Sequence, residues 1–228
     1  MVEQVDEIYA DEAGKWDARY GILFLLIVVC MLMTAANTDW LKILAVVILG
    51  GTVLFAFLAA RAGPRAWRFA TVLIPVAVVL GIVGRLDDAR GAQLTAAIVT
   101  LVLPIAAIGA LGRRIVKEHD VSGRTILGLL SVYLLIGMTL SALYVTIAVA
   151  SQEPFFAQIK QAEPVDFTYF SYITIATVGY GDLTPANPLP RMLAAIEGLT
   201  GQLYLVTVVA VAVSRVRTRR DRTREEEG

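Results

Sequence analysis

The sequence has few of the residues from which disulfides and metal sites are built. Its 228 residues include one cysteine, Cys30, and one histidine, His119. An internal disulfide needs two cysteines, and a structural zinc site needs several Cys or His ligands, so the first is impossible and the second is disfavoured. No nucleophile, base and orienting group form a known catalytic pattern. The sequence therefore predicts neither an enzyme nor a bound organic cofactor.

Charge is also scarce, and it is balanced. Asp, Glu, Lys and Arg make up 18% of the residues, the formal net charge is zero, and the mean hydropathy is +0.69. No basic domain is present that would indicate a nucleic-acid partner. Such an apolar composition excludes an ordinary soluble domain and favours a membrane protein. Segment 1–19 is acidic, which is the opposite of the basic start of a cleavable signal peptide.

Long apolar stretches predict six membrane-spanning helices, because about 20 mostly apolar residues cross a hydrocarbon layer roughly 30 Å thick. These stretches are 20–36, 40–60, 67–84, 91–112, 125–150 and 190–214. Lys and Arg concentrate in alternate connections, which predicts that both termini face the cytoplasm. The chain then divides into a cytoplasmic segment (1–19), a four-helix transmembrane domain (20–112), a cytoplasmic linker (113–124), a second transmembrane domain (125–214) and a charged cytoplasmic tail (215–228).

The connection between the fifth and sixth stretches contains an apolar aromatic segment that is too short to cross a membrane. The charge pattern places this connection, 151–189, outside the cell. We expect it to hold a re-entrant half-helix with Asp166 as its N-cap. Irregular backbone after such a helix is tolerated at membrane depth only where protein buries it or where water and ions line it.

The segment that follows, residues 174–182, reads TIATVGYGD and resembles the selectivity filter of potassium channels. The resemblance implies an all-α integral membrane protein with six transmembrane helices. A re-entrant pore helix and the filter would lie between helices five and six, within the pore domain 125–214. Four identical chains would surround one pore in the cell membrane. The function implied is that of a potassium-selective channel subunit.

The resemblance also implies which atoms bind the ions. Backbone oxygens replace the water around a dehydrated potassium ion, and the glycines permit backbone angles that turn successive carbonyl groups toward the pore. The implied filter residues, whose oxygens are the only expected metal (K⁺) ligands, are Thr177, Val178, Gly179, Tyr180 and Gly181.

Four further residues are expected to support the filter: Asp182, Tyr169, Phe170 and Ile173. We expect Tyr180 to pack against Tyr169 and Phe170. Some family members carry a pore-helix carboxylate that partners the aspartate, but this sequence has Ile173 at that position. The resemblance therefore does not extend to slow inactivation that depends on such a carboxyl pair.

The sixth helix resembles the inner helix that lines the pore in this family, and Glu197, Gly198 and Gly201 are its gating candidates. Gly201 has the spacing of the gating hinge proposed for the family, although a membrane glycine also permits close helix packing. An ionisable group such as Glu197 is costly in an apolar segment. We expect it to bond behind the filter to the pore helix, either to couple inner-helix position to conduction or as a structural link. The predicted cavity wall comprises Gln202, Leu205 and Val209.

The fourth stretch, 91–112, contains no Lys or Arg. Because a voltage sensor needs charges that move through the membrane field, we expect weak intrinsic voltage dependence. The basic run 215–224 is a candidate contact for anionic lipids or a simple positive-inside anchor. Two alternatives stay open, namely a weakly selective monovalent cation channel and a potassium transporter subunit.

Overall fold

A computed structural model describes residues 19–33, 39–60, 63, 67–68, 71–76, 79, 90–117, 123–151 and 153–226. Throughout these ranges the regular structure is helical. The helices are α1 (Arg19–Met33), α2 (Asp39–Ala59), α3 (Arg90–Lys117), α4 (Gly123–Ser151), α5 (Pro164–Ile175) and α6 (Pro188–Glu226). The predicted all-α class is confirmed for this part of the chain.

Three helical spans in the described ranges have the length and apolar character needed to cross a membrane: Gly91–Ile115, Ile126–Ser151 and Pro188–Ala210. Helix α1 and the segment Gly50–Ala59 of α2 are apolar but shorter. Half of the predicted third stretch, 67–84, and nearly all of segment 1–19 lie outside the described residues. The six-helix topology therefore stays a prediction.

Helix α6 extends well beyond the predicted boundary at residue 214. It continues to Glu226, so the basic run 215–224 is helical rather than an irregular tail. Neither glycine nor proline occurs between residues 202 and 226, and Arg and Glu are good helix formers. The end of the apolar run therefore marks the end of the membrane-spanning part, not the end of the helix.

Two apolar clusters position the helices. The first joins α1, α2, α3 and α4, and its fully buried members include Leu23, Ile27, Ala56, Ala107, Leu111 and Leu135. The second cluster is aromatic and joins α4, the connection after it and α5; it consists of Tyr144, Phe155, Phe156, Phe167 and Phe170. Aromatic rings in offset or edge-on contact add stability beyond the area that they bury. The second cluster therefore fixes α5 against α4 through Phe167 and Phe170.

The connection that follows α4 pairs with the segment that follows the filter. Phe156 and Pro185 form an isolated antiparallel bridge. The amide of Ala157 donates to the carbonyl of Thr184 at 2.9 Å, and the amide of Ala186 donates to the carbonyl of Phe155 at 2.8 Å. The C-terminal end of the segment 176–187 is thus attached to the connection after α4. Its N-terminal end continues directly from α5, which packs against the same connection.

Candidate functional site

Helix α5 begins with a reciprocal capping arrangement. Its N-cap is Glu163 and not Asp166, which corrects the sequence-based prediction. Pro164 is suited to the first helical position because it has no amide proton to satisfy there. Asp166 consequently occupies the third helical position, and its Oδ2 accepts a hydrogen bond from the Glu163 amide at 2.8 Å.

The backbone that leaves α5 folds back onto the end of this helix. The amides of Val178 and Gly179 both donate to the carbonyl of Ile173, at 2.9 and 3.2 Å. In a trans peptide the carbonyl points opposite to the amide that shares its plane. The carbonyls of Thr177 and Val178 therefore point away from α5, toward the exposed side of the chain.

Alternate residues of this segment have left-handed backbone angles. Positive φ values occur at Thr177 (57°), Gly179 (52°) and Gly181 (80°). Glycine adopts such angles at little cost, whereas a β-branched residue does so only where the surroundings enforce it. The two glycines were identified from the sequence, but Thr177 was not expected to share their conformation. Strain at a β-branched residue is typical of functional sites.

The segment is exposed in the single chain. The side chains of Val178 and Tyr180 are 52% and 73% exposed. Carbonyl oxygens that point to the same side are suitable ligands for a monovalent cation, but one chain supplies oxygens from one direction only. The segment therefore presents carbonyl oxygens on one side, and its side chains are largely uncovered.

The outer end of the segment is held by a hydrogen bond that the sequence did not reveal. The Tyr169 hydroxyl donates to Asp182 Oδ2 at 2.7 Å. This bond raises the pKa of Tyr169 to about 12, so the hydroxyl keeps its proton at neutral pH. Asp182 thus has the phenol of Tyr169 as its hydrogen-bond partner.

Phe170 lies elsewhere than expected. It is 5% exposed and contacts Tyr144 and Phe156 in the aromatic cluster, with ring centroids 5.4 and 5.3 Å away. Successive residues on a helix point in different directions, so Phe170 and Tyr169 cannot both face the filter. The predicted packing of Tyr180 against Phe170 is therefore wrong, because the Phe170 ring packs against Tyr144 of α4 and holds α5 there.

Glu197 of α6 is buried against α4 and α5, with 1% of its surface exposed. The Tyr144 hydroxyl of α4 donates to its Oε2 at 2.6 Å. Ser171 Oγ of α5 lies 2.5 Å from its Oε1. The predicted contact with the pore helix is therefore present, although neither Ser171 nor Tyr144 was identified from the sequence.

The glycines of α6 lie where this helix meets the end of α5. A Cβ atom on Gly201 would overlap the carbonyl oxygen of Ile175, whereas one on Gly198 would make an ordinary contact with the carbonyl of Thr174 at 3.6 Å. Close packing therefore accounts for Gly201 without a hinge. The three cavity candidates, Gln202, Leu205 and Val209, are exposed in the single chain, and their place in a cavity wall stays a prediction.

Tyrosine hydroxyls link the three helices to backbone carbonyls. Tyr133 of α4 donates to Ile175 at 3.0 Å, Tyr172 of α5 donates to Leu134 at 2.8 Å, and Tyr204 of α6 donates to Leu129 at 2.6 Å. A buried hydroxyl needs a partner, so each bond restricts how these helices shift. The sequence shows only that these tyrosines occur in apolar segments. It does not identify the carbonyl groups to which their hydroxyls donate.

Comparisons with known proteins relate part of this chain to ion channels. Residues 143–218, which include α5, the filter segment and most of α6, match a family model described as "Ion channel". Three relatives are potassium channels by name. Two-pore potassium channel 4 of Arabidopsis thaliana is 34% identical over 86 residues, 36% of this chain and 30% of that protein. Inward rectifier potassium channel Kirbac3.1 of Paramagnetospirillum magnetotacticum is 40% identical over 60 residues, 25% of this chain and 20% of that protein.

The third relative, Two pore potassium channel a of Oryza sativa subsp. japonica, is 34% identical over 104 residues, 46% of this chain and 26% of that protein. The chain thus spans less than a third of the length of each of these relatives. The three relatives belong to one class of protein by name, since each is called a potassium channel.

Proposed function

We propose that this chain, a member of the potassium channel family, is one subunit of a potassium-selective channel with its filter at Thr177 to Gly181. The relatives and the family match are to ion channels, which are not enzymes. The observation that carries the proposal is the alternation of positive φ angles at Thr177, Gly179 and Gly181. This alternation lets successive carbonyl oxygens point to one side, as a filter made of backbone oxygens requires.

The permeating ion is a dehydrated potassium ion, which exchanges water oxygens for carbonyl oxygens of the filter. The ligands are the carbonyls of Thr177 to Tyr180, with the Thr177 hydroxyl at the inner end. The C-terminal end of α5 carries the negative end of the helix dipole and stabilises a cation beneath the filter. Potassium is the transported ion, and the proposed mechanism uses no cofactor.

A homotetramer supplies the remaining ligands. One chain presents carbonyl oxygens from a single direction, and four identical chains close a ring around one axis. The exposure of Val178 and Tyr180 supports this, because large apolar side chains beside a backbone segment need a covering surface. An exposed apolar row on α6, formed by Leu199, Leu203 and Val206, gives the neighbouring subunits a further surface to contact.

The chain is placed in the cell membrane with both termini in the cytoplasm, following the distribution of Lys and Arg. Voltage dependence is weak, since residues 91–112 carry no basic charge. Arg114, which follows this stretch, donates from Nη1 to the carbonyl of Ala59 at 2.8 Å and so is attached to the end of α2. A guanidinium bound in this way is poorly suited to move through the membrane field.

Anionic lipids are the proposed partners of the basic run 215–224. The support is that this run continues α6 just beyond its membrane-spanning part, where each Arg near an anionic leaflet contributes about 1 kcal/mol to binding. The test compares conduction in vesicles of neutral lipid with conduction in vesicles that also contain anionic lipid. Equal conduction in the two would mean that the run is only a positive-inside anchor.

The test is reconstitution of the purified protein in liposomes with a potassium gradient. We expect potassium flux that barium blocks, and reversal potentials in mixed potassium and sodium that follow the potassium gradient. The Gly179→Ala variant should lose flux because alanine is strained at this positive φ, whereas Gly51→Ala, where an added Cβ meets nothing, serves as the matched control. Equal permeation of sodium would instead favour the weakly selective cation channel.

A further inference from the structure

Glu197 lies where three helices of the pore region meet. Its carboxyl group contacts Tyr144 of α4 through Oε2 and Ser171 of α5 through Oε1, while Glu197 itself belongs to α6. Ser171 makes a second contact, since its Oγ also lies 2.7 Å from the carbonyl oxygen of Gly137 in α4. A single carboxyl group therefore links the inner helix to both the pore helix and the outer helix.

The number of hydroxyl protons available for these contacts shows whether the Glu197 carboxyl group is ionised or neutral. Three oxygen–oxygen contacts need three protons, namely Tyr144 to Oε2, Ser171 to Gly137, and Ser171 to Oε1. Tyr144 and Ser171 supply one hydroxyl proton each. The carbonyl of Gly137 has no proton, so two oxygen lone pairs would face each other at 2.7 Å if Ser171 donated to Glu197 instead. The missing third proton is supplied when Glu197 is a neutral acid that donates to Ser171.

The surroundings of Glu197 agree with a neutral group. The titratable side chains that face it are Tyr144 and Tyr133 from α4 and Tyr172 from α5, all phenols. In the part of the chain whose side chains are described, no ion pair between Glu197 and a Lys, Arg or His accompanies its two hydrogen bonds. An ionised carboxylate without a counter-charge is very unfavourable in such a site.

We propose that Glu197 is a protonated positioning residue that ties the inner helix to the pore helix and thereby holds the filter in its selective geometry. The link from Glu197 to the ions is short, because Ser171 and Ile173 lie on the same helix and the Ile173 carbonyl receives the Val178 and Gly179 amides. Displacement of α5 would change these bonds and with them the directions of the filter carbonyls. The role in selectivity rests on the proposed channel function, whereas the protonation state does not.

The protonation state is tested by infrared difference spectroscopy of the reconstituted protein at neutral pH. The spectrum of the wild type minus Glu197→Gln should contain the C=O stretch of a carboxylic acid, shifted in D₂O. The Glu153→Gln variant, which changes an exposed carboxyl group, should retain this band. Tyr144→Phe should move the band to higher frequency, because it removes the donor to Oε2. A difference spectrum with only carboxylate bands would overturn the proposal.

The positioning role is tested by the potassium-to-sodium permeability ratio. Glutamine donates to Ser171 and accepts from Tyr144 just as a neutral acid does, so Glu197→Gln should keep the ratio within about twofold. Glu197→Leu leaves the Tyr144 hydroxyl without its acceptor and removes the bond between α6 and Ser171, so it should lower the ratio about tenfold. An unchanged ratio in Glu197→Leu would contradict the role. Liposomes that pass no potassium would contradict the channel function instead, and the infrared result would still decide the state of Glu197.

Discussion

Two regions of the molecule are held in different ways. One is residues 123–210, which are proposed to form the pore and are called the pore region below, and the other is the N-terminal helices α1 to α3. In the pore region, hydroxyl groups of Tyr133, Ser171, Tyr172 and Tyr204 reach backbone carbonyls of neighbouring helices. Helices α1 to α3 instead contact α4 through an apolar cluster that includes Leu23, Phe57 and Leu111. Hydrogen bonds are directional and fix a position, whereas apolar contacts allow side chains to repack.

The two regions also differ at their tightest glycines. In the pore region a Cβ on Gly201 would overlap the backbone of Ile175, which is the last residue of α5. In α2, a Cβ atom on Gly50 would lie 2.6 Å from Cγ2 of the Ile74 side chain. A side chain moves aside more easily than a helix backbone. We therefore expect the pore region to tolerate added volume less well, as a filter held to a fixed width requires.

The largest effect is expected from Gly201→Ala. The new methyl group displaces the end of α5, which destabilises the pore region by about 3 kcal/mol or more. Potassium flux should fall below detection, and the protein should unfold at lower temperature in a thermal shift assay. Gly50→Ala is the matched change in the other region and should cost about 1 kcal/mol with flux retained. Equal effects of the two variants would remove the distinction between the regions.

A smaller loss is expected from Gly137→Ala. The added Cβ would lie 2.8 Å from Cε1 of Tyr172, so the ring must move and its hydroxyl loses the carbonyl of Leu134. The expected cost is about 2 kcal/mol, measured as a reduced midpoint of thermal unfolding in detergent. Combining this change with Tyr172→Phe should add little, since both act on one hydrogen bond. Full additivity would show that the displaced ring is not the cause.

A change at the outer mouth should affect conduction more than stability. Tyr169→Phe removes the donor to Asp182 while leaving the packing intact, and we expect flux to decline faster during sustained conduction. Because this bond is exposed, its loss should change the free energy of unfolding little. Tyr204→Phe removes a hydroxyl from the inner helix and should leave this time course unchanged. An identical decline in both variants would contradict a specific role for the Asp182 bond.

The smallest effect is expected from Arg114→Gln. This change weakens the hydrogen bond to the carbonyl of Ala59 at the end of α2 and should lower stability by about 1 kcal/mol. The voltage dependence of conductance, recorded from purified channels in planar bilayers, should stay as shallow as in the parent. A marked change in its slope would show that Arg114 carries gating charge and would contradict the weak voltage dependence proposed here.

Much of the site was predictable because its signals are local. The filter sequence, the half-helix before it and the helices on either side follow from residue types and spacing along a continuous stretch. The errors at Asp166 and Phe170 have local causes too. Because Pro164 occupies the first helical position, the N-cap is Glu163. The direction of the Phe170 side chain depends on how α5 is rotated about its axis, which residue types alone did not show.

The partners of buried polar groups were not predictable in this way. Tyr144 and Glu197 are separated by 53 residues, and Tyr204 bonds to a carbonyl 75 residues earlier in the chain. A hydroxyl in an apolar segment indicates only that some partner exists. Which group it meets depends on how the helices cross.

The sequence by itself determined the apolar helices, the filter segment and the presence of a buried acid at residue 197, because hydropathy and backbone freedom are properties of residues and their neighbours. Only the tertiary structure decided that Glu197 lies between Tyr144 and Ser171, and that the Ile173 carbonyl orients the filter amides. The physical reason is the short range of a hydrogen bond, which acts over about 3 Å and so depends on helix positions that no local pattern encodes.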